Sequence, residues 1–131
     1  VHLSTDYVFG GEGGAPYDEF APVDPHGVYA RSKEAGERMV RTVLPERHLI
    51  LRTGYVLGDG PNLVRTILRL AAERERLSFV ADQGISPTHA RDLAEMAVAL
   101  YEDPLPATYH VASAGEDATP HALARHVALR R

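Results

Sequence analysis

The chain has 131 residues, of which 44% are hydrophobic and 24% charged, and its 14 Lys and Arg against 18 Asp and Glu give a formal net charge of -4. This length suits a single globular domain that buries its own core. The absence of cysteine excludes disulfide frameworks, thiolate zinc sites and cysteine nucleophiles, and it fits a reducing cytoplasm. The mild acidity disfavours a nucleic-acid surface, and no apolar run approaches the roughly 18 residues of a membrane span.

The first third of the chain predicts a strand, a long loop and a helix. Residues 1–9 are rich in Val, Tyr, Phe and Thr and stop at Gly10 and Gly11, which is typical of a strand. Four glycines and three prolines then lie between Gly10 and Pro25, so this segment is a loop. A helix of about 17 residues should begin at Pro25 and end at Pro45. Its predicted apolar stripe consists of Val28, Ala35, Met39 and Val43.

The rest of the chain repeats the alternation of strand and helix. Further strands are predicted over residues 48–53, 78–81 and 108–112. Three more helices are predicted after N-caps at Asn62, Thr88 and Thr119, the last with Pro120 in the first helical position. Strands that alternate with helices of this length indicate βαβ units around a mostly parallel sheet.

Tyr29 and Lys33 form the first candidate for chemistry. A spacing of four residues places both side chains on one helix face, about 40° apart around the axis. A nearby ammonium favours the ionised phenol, so the pair can serve as a general acid. Gly36, one turn later on the same side, indicates the close approach of another group. The alternative is a surface tyrosine beside a solvated lysine, because this spacing is common by chance.

A second polar group, Ser4 to Asp6, follows the first apolar strand. In open α/β sheets the ligand crevice lies outside the carboxyl ends of the strands, so a hydroxyl there can share a ketone oxygen with Tyr29. The segments STDYVFGG, VYARSKEAGE, LILRTGYVLG and D-Q-x-x-x-P-T occur in this order. This combination resembles the carboxyl-terminal part of the dTDP-4-dehydrorhamnose reductases, which are extended short-chain dehydrogenases/reductases acting on nucleotide sugars. The resemblance covers about residues 1–126.

The resemblance implies an α/β fold, namely the carboxyl-terminal portion of a Rossmann-type parallel sheet plus a small substrate-binding region. It implies reduction of the 4-keto group of a nucleotide-linked deoxysugar, dTDP-4-dehydro-L-rhamnose to dTDP-L-rhamnose, with NADPH as cofactor and NADH left open. The sequence has no glycine-rich turn between a strand and a helix. We therefore expect residues 1–131 to be a single-domain fragment without its amino-terminal dinucleotide-binding half, inactive and unable to bind NADP(H) tightly by itself.

The same resemblance implies individual residue roles. Thr5 would hydrogen-bond the substrate ketone, Tyr29 would protonate the developing alkoxide, and Lys33 would lower the phenol pKa and hold the nicotinamide ribose. The implied cofactor-binding residues are Ser4, Tyr29, Lys33, Arg52 and Thr53. The implied substrate-binding residues are Asp6, Tyr7, Tyr55, Asn62, Gln83, Pro87 and Thr88. Tyr55 stands where the family commonly has tryptophan, and Asn62 and Thr88 are equally good helix caps.

The sequence also makes predictions about metal ions and binding partners. The seven histidines never recur three or four residues apart on one helix, so no metal site is predicted. The expected partner is the nucleotide-sugar substrate, with no nucleic acid or membrane, and a homodimer is left open. Two alternatives to the enzyme are a reductase-like subunit that binds sugar nucleotides without catalysis or in regulation, and a truncated product that folds poorly. Intact Thr5, Tyr29 and Lys33 argue for the enzyme.

Overall fold

A computed structural model describes residues 1–12, 14, 16–102, 105–115 and 118–129. In chain order its elements are β1 (His2–Thr5), α1 (Gly27–Val43), β2 (Leu49–Thr53), β3 (Val56–Leu57), α2 (Leu63–Glu73), β4 (Thr88–His89), α3 (Ala90–Glu102), β5 (Ala107–His110) and α4 (Pro120–Leu129). The predicted α/β alternation with parallel pairing is confirmed, since every pair of named strands in this part of the chain is parallel.

The larger sheet has the order β1-β2-β5 and contains the buried centre of the molecule. All five residues of β2 are buried, as expected of a central parallel strand, and they include the polar Arg52 and Thr53. On one face of the sheet, Leu51 packs with Leu93 of α3 and with Val111. Thr5 is paired with Thr53, so β1 and β2 end at the same level. The smaller sheet joins β3 to β4 beside these two strand ends.

The predicted first strand is too long. β1 stops at Thr5 because the side chain of Thr5 caps a short 3-10 helix, Asp6–Val8, by accepting a hydrogen bond from the Tyr7 N–H. The following loop has no helix or strand in its described residues, and positions 13 and 15 lie outside them. Glu19 fastens this loop to the sheet, since its carboxylate accepts the His110 N–H at 3.0 Å.

Helix α1 has the predicted length but begins at Gly27, two residues after Pro25, with His26 as N-cap. The predicted apolar stripe does not face the core. Three of its members are more than 60% exposed and the fourth is also exposed; they are Val28, Met39, Val43 and Ala35. The helix instead turns Ala30 and Glu37 inward. The reason is that the sheet presents a buried arginine, Arg52, which pairs with the Glu37 carboxylate.

Two further predictions are wrong and two are confirmed. Residues 78–81 are not a strand, and the Val80 carbonyl accepts the His121 N–H of α4 instead. Thr88 does not cap α3, because it lies in β4, and the Arg91 N–H is bonded to the His89 ring. Asn62 and Thr119 are confirmed as caps, since their side-chain oxygens accept the Arg65 and Ala122 N–H groups.

The last strand covers residues 107–110 rather than 108–112. Among the described helices, none is both long and apolar enough to cross a bilayer.

Candidate active site

A cleft of about 330 Å³ opens where β1 and β2 end. Both strands run in the same direction and stop at the paired residues Thr5 and Thr53, so their carboxyl ends form one wall, as expected of a ligand crevice in an open α/β sheet. The first turns of α1 form the facing wall. The lining residues are Leu3, Ser4, Thr5, Asp6, Tyr7, Tyr29, Lys33, Thr53, Gly54, Tyr55 and Val56. The three residues predicted to be catalytic therefore share one cleft.

The Thr5 hydroxyl is held by two neighbours at the base of the cleft. It donates a hydrogen bond to the Asp6 carboxylate at 3.1 Å and accepts the Tyr7 N–H at 3.2 Å. Burial raises the pKa of Asp6, although the bond from Thr5 acts in the opposite direction. A ketone oxygen that enters the cleft competes with Asp6 for the Thr5 hydrogen. Thr5 can therefore donate to a substrate by turning one O–H bond.

Tyr29 and Lys33 are presented differently although they share a helix face. Tyr29 is 59% exposed, and its ring meets the Tyr7 ring edge to face with centroids 6.2 Å apart. The Lys33 ammonium donates to the Leu3 carbonyl at 2.6 Å, which fixes it to β1. The phenol thus stays open to an incoming ligand while the cation is anchored at the cleft wall. Such a pair can transfer a proton to an oxygen that Thr5 also contacts.

Three predicted substrate residues form a hydrogen-bonded group at the rim. The Tyr7 and Tyr55 hydroxyls lie 3.1 Å apart, and the Gln83 amide donates to the Tyr7 hydroxyl at 2.9 Å. The bond with Tyr7 and burial both favour the neutral phenol and raise the pKa of Tyr55 to about 12. Thr88 supports this group through its backbone, since its N–H donates to the Tyr55 carbonyl. Tyr55 is therefore a neutral hydrogen-bonding group at physiological pH.

Thr53 has a buried hydroxyl that can still form hydrogen bonds. It is 9% exposed, lines the cleft, and its Oγ1 has no hydrogen-bond partner among the described residues. A buried hydroxyl without a partner costs about 1 to 3 kcal/mol. A ligand in the cleft that offers a hydrogen-bonding group to Thr53 would remove that cost.

Other predicted site residues lie elsewhere. Arg52 is 4% exposed, its Nε and Nη2 atoms donate to Glu37, and the described residues that line the cleft do not include it. Ser4 lines the cleft, yet its hydroxyl donates to Glu37. The Asn62 amide donates to the Gly58 and Gly60 carbonyls, and with Pro87 it lies outside the cleft lining. Asn62 therefore acts as the helix cap.

Two important residues escaped the sequence analysis. Gly54 is needed because a Cβ there would lie 2.7 Å from the Ser86 carbonyl oxygen and 2.8 Å from an Asp6 carboxylate oxygen. Glu37 is fully buried, and its position four residues after Lys33 was the available signal. Gly36, in contrast, was correctly expected to admit a neighbour, which is the His2 ring at 3.1 Å from a Cβ built there. Within the described ranges no three His, Asp or Glu side chains are grouped to hold a metal ion.

Comparison with known proteins shows which chains this one is similar to. The chain is 45% identical over 116 residues to the spore coat polysaccharide biosynthesis protein SpsK of Bacillus subtilis, covering 88% of this chain and 40% of that protein. It is 44% identical over 126 residues to a dTDP-4-keto-6-deoxy-D-glucose reductase of Streptomyces niveus, covering 95% and 43%. The crystal structure of dTDP-4-dehydrorhamnose reductase from Bacillus anthracis in complex with NADP superposes with a TM-score of 0.87 at 40% identity, covering 96% of this chain and 45% of that one.

The chain thus spans about two fifths of the length of the curated relatives it matches. The family model described as the RmlD substrate binding domain matches residues 1–130. This match extends over the cleft, both strand ends and all four helices, and it confirms the resemblance to the dTDP-4-dehydrorhamnose reductases seen in the sequence motifs. The chain belongs to the RmlD substrate binding domain family.

Proposed function

We propose that this cleft reduces the 4-keto group of a nucleotide-linked deoxysugar, dTDP-4-dehydro-L-rhamnose, to the alcohol. The observation that carries the proposal is the convergence of Thr5, Tyr29 and Lys33 on one cleft at the ends of β1 and β2. The names of the relatives, which include a dTDP-4-keto-6-deoxy-D-glucose reductase, support this substrate class.

Each of the three residues has a separate task in this reaction. The Tyr29 phenol gives a proton to the oxygen that becomes the alcohol, and the Thr5 hydroxyl stabilises the negative charge that develops on that oxygen. The Lys33 ammonium, anchored by the Leu3 carbonyl, supplies a positive charge on the helix face that carries the phenol. When bound, NADPH supplies the hydride that the carbonyl carbon accepts.

The cleft offers groups that fit such a cofactor. Lys33 provides a cation at the wall, and Thr53 provides a buried hydroxyl with no partner in the described part of the chain. We propose that these two residues and Tyr29 hold the nicotinamide end, with NADPH preferred and NADH open. Because the chain spans about two fifths of its relatives, calorimetry on residues 1–131 alone should give no tight binding of NADP(H).

The test is turnover by the whole protein in which these residues occur. Tyr29→Phe should lower kcat for the 4-keto sugar on the order of 10²-fold or more and leave thermal unfolding unchanged, because the exposed ring and its contact with Tyr7 are kept. Tyr101→Phe is the matched control, since Tyr101 is 69% exposed on α3 and should keep wild-type turnover. Binding of the nucleotide sugar without turnover by the wild type would favour the non-catalytic subunit instead.

We further propose that the protein is a cytoplasmic homodimer that pairs through α1. The exposed Val28, Met39 and Val43 support this, since they form an apolar stripe facing away from the sheet. A second copy of the chain is the proposed occupant. Met39→Glu should convert the dimer to a monomer in sedimentation velocity of the whole protein, whereas a monomeric wild type would refute the assembly.

A further inference from the structure

Glu37 is a charged residue buried at the centre of a hydrogen-bonded group. Its side chain is fully buried. Arg52 donates to both carboxylate oxygens, from Nε at 2.9 Å and from Nη2 at 2.7 Å. The Ser4 hydroxyl donates to Oε1, and the Arg41 Nη2 donates to Oε2 at 2.8 Å. This is a forked arginine pair of the kind that fixes geometry as well as charge.

These contacts tie α1 to every strand of the larger sheet. Ser4 lies in β1 and Arg52 in β2. The same Arg41 atom that contacts Glu37 also donates to the Thr108 hydroxyl of β5 at 3.0 Å. We call Ser4, Glu37, Arg41, Arg52 and Thr108 the clasp.

The clasp and the proton donor lie on the same helix, with Glu37 turned by about 80° from Tyr29 around the axis. Tyr29, Lys33, Glu37 and Arg41 follow one another at intervals of four residues, so each is turned by about 40° from the one before. Glu37 is eight residues beyond Tyr29, or about 12 Å along the axis. A helix moves nearly as a rigid rod over that length, so a shift at Glu37 also displaces the phenol.

Apolar packing gives α1 little other anchorage. Ala30 and Glu37 are the residues of α1 that are buried, and alanine presents only a methyl group. Packing of this kind is non-directional, whereas a forked pair specifies both the height and the rotation of the helix on the sheet. The position of the phenol therefore depends on a polar contact more than on hydrophobic burial.

We propose that Glu37 is a positioning residue for the reduction: through Arg52 and Ser4 it sets the register of α1 on the sheet, and thereby places Tyr29 opposite Thr5. This inference rests on the proposed function. It also has a geometric consequence that needs no substrate, because the Tyr29 ring meets the ring of Tyr7, which follows β1.

The experiment compares three variants of the whole protein. Glu37→Gln keeps the size of the side chain but leaves Arg52 without its counter-charge. Glu34→Gln is the matched control on the same helix, since within the described part of the chain Glu34 pairs only with the exposed Arg38, at 3.8 Å. Glu37→Met/Arg52→Met removes both charges together, a replacement that is often neutral or stabilising for buried pairs. Each variant is measured for thermal unfolding, for kcat and KM, and for the NMR contact between the Tyr7 and Tyr29 rings.

Glu37→Gln should lose the ring contact and lower kcat by about ten- to a hundredfold. The KM should stay within about twofold, because the proposed substrate groups that follow β1 and precede β3 stay in place. Glu34→Gln should match the wild type in every measurement. The double variant should recover thermal stability while kcat and the ring contact stay low. A purely structural role predicts instead that all three recover together in the double variant.

Recovery of kcat in the double variant would overturn the proposal. So would a folded Glu37→Gln protein with wild-type kcat and an intact ring contact. If Glu37→Gln does not fold, the double variant still decides, because it leaves no buried charge unpaired. If the wild type reduces no 4-keto sugar, the proposed function fails. The NMR contact between the Tyr7 and Tyr29 rings then still tests whether Glu37 positions Tyr29.

Discussion

Ser4 and Thr5 are neighbours on β1, both buried and both hydroxyl-bearing, yet they serve different networks. Ser4 points to the α1 side and completes the clasp around Glu37. Thr5 points into the cleft, where it is shared between Asp6 and the Tyr7 backbone. Because successive side chains of a strand face opposite ways, one residue step separates the scaffold of this molecule from its candidate chemistry.

The two networks differ in how completely they are satisfied. In the clasp, the buried carboxylate of Glu37 meets two guanidinium groups and a hydroxyl. In the cleft, Thr53 has an unpaired buried hydroxyl among the described residues, and the Tyr29 ring is largely exposed. Full satisfaction is typical of a structural polar group, whereas spare hydrogen-bonding capacity in a concave site is typical of ligand binding.

The sharpest way to test this difference is to delete each hydroxyl of the β1 pair. Thr5→Val should lower kcat for the keto sugar on the order of 10²-fold, as removal of a single oxyanion-stabilising donor does. The free energy of unfolding should fall by only about 1 kcal/mol, from the lost cap on the 3-10 helix. Steady-state kinetics and urea unfolding measure the two effects.

Ser4→Ala should show the opposite balance in the same urea experiment. It removes one donor from a buried carboxylate, so the free energy of unfolding should fall by about 1 to 3 kcal/mol. If Thr5→Val proves the more destabilising of the two, the assignment of the hydroxyls to a scaffold and a site is wrong.

Acid should weaken the clasp, and it should do so at a lower pH than the one at which Asp6 in the cleft takes up a proton. Burial opposes ionisation of Glu37, but the bonds from Arg52 and Ser4 and the Arg52 charge outweigh it and hold the pKa at about 2, below its usual 4.5. The clasp therefore contributes fully above about pH 5 and is lost as the pH falls toward 2. This difference in pKa corresponds to about 3 kcal/mol of unfolding free energy.

Three other groups contribute to the acid response, so the measurement is a difference between proteins. The bond from the His110 N–H lowers the pKa of Glu19, which acts in the same sense as Glu37. The lowered pKa of His2, caused first by burial and then by Lys33, makes the native state lose stability as the pH falls below about 6.5. The raised pKa of Asp6 acts in the opposite sense. Unfolding of the wild type minus that of Glu37→Gln, measured from pH 6 to pH 2.5, gives the contribution of the Glu37 charge, which includes its attraction to His2. A difference that does not shrink with acid would contradict its ionic character.

The motif residues could be predicted from the sequence because their chemistry depends on spacing and on strand ends. Tyr29, Lys33 and Thr5 lie together as expected. The clasp could not be predicted, because the apolar residues of α1 indicated a different buried face. The partners of Glu37 also lie 15 and 33 residues away in the sequence, so local spacing does not reveal them. The sequence implies cofactor contact for Arg52 through the family resemblance, but its pairing with Glu37 depends on how α1 packs on the sheet.

Gly54 tests the cleft wall without deleting a polar group. A methyl there would meet the Ser86 carbonyl and the Asp6 carboxylate at less than 3 Å. Gly54→Ala should therefore cost about 1 to 3 kcal/mol in urea unfolding and reduce turnover by moving Asp6. Gly84→Ala is the matched control, because a Cβ there meets nothing within 4 Å. Equal stability of the two variants would show that Ser86 and Asp6 can move away from the added methyl group at little cost.

The smallest expected effect concerns Tyr55, the ring at the rim where the family commonly has tryptophan. Its hydroxyl lies 3.1 Å from that of Tyr7, which also accepts the Gln83 amide. If the ring stacks on a deoxysugar, Tyr55→Phe keeps the apolar face and removes one exposed hydrogen bond. The loss in kcat/KM should then stay within about tenfold, or 1.4 kcal/mol. Tyr55→Trp should be tolerated, since an indole offers a larger apolar face.

Gln83→Ala separates the two possible uses of the Tyr55 hydroxyl. With Gln83 present, the Tyr7 oxygen accepts the Gln83 amide hydrogen, and the Tyr7 hydroxyl can donate to the Tyr55 oxygen. The Tyr55 hydroxyl can then donate its own hydrogen to the substrate. If the hydroxyl only supports Tyr7, Gln83→Ala and Tyr55→Phe should have similar small effects on kcat/KM. A Tyr55→Phe loss of about a hundredfold, with Gln83→Ala mild, would mean that the hydroxyl bonds a polar substituent. A more polar sugar would then replace the deoxysugar as the proposed substrate.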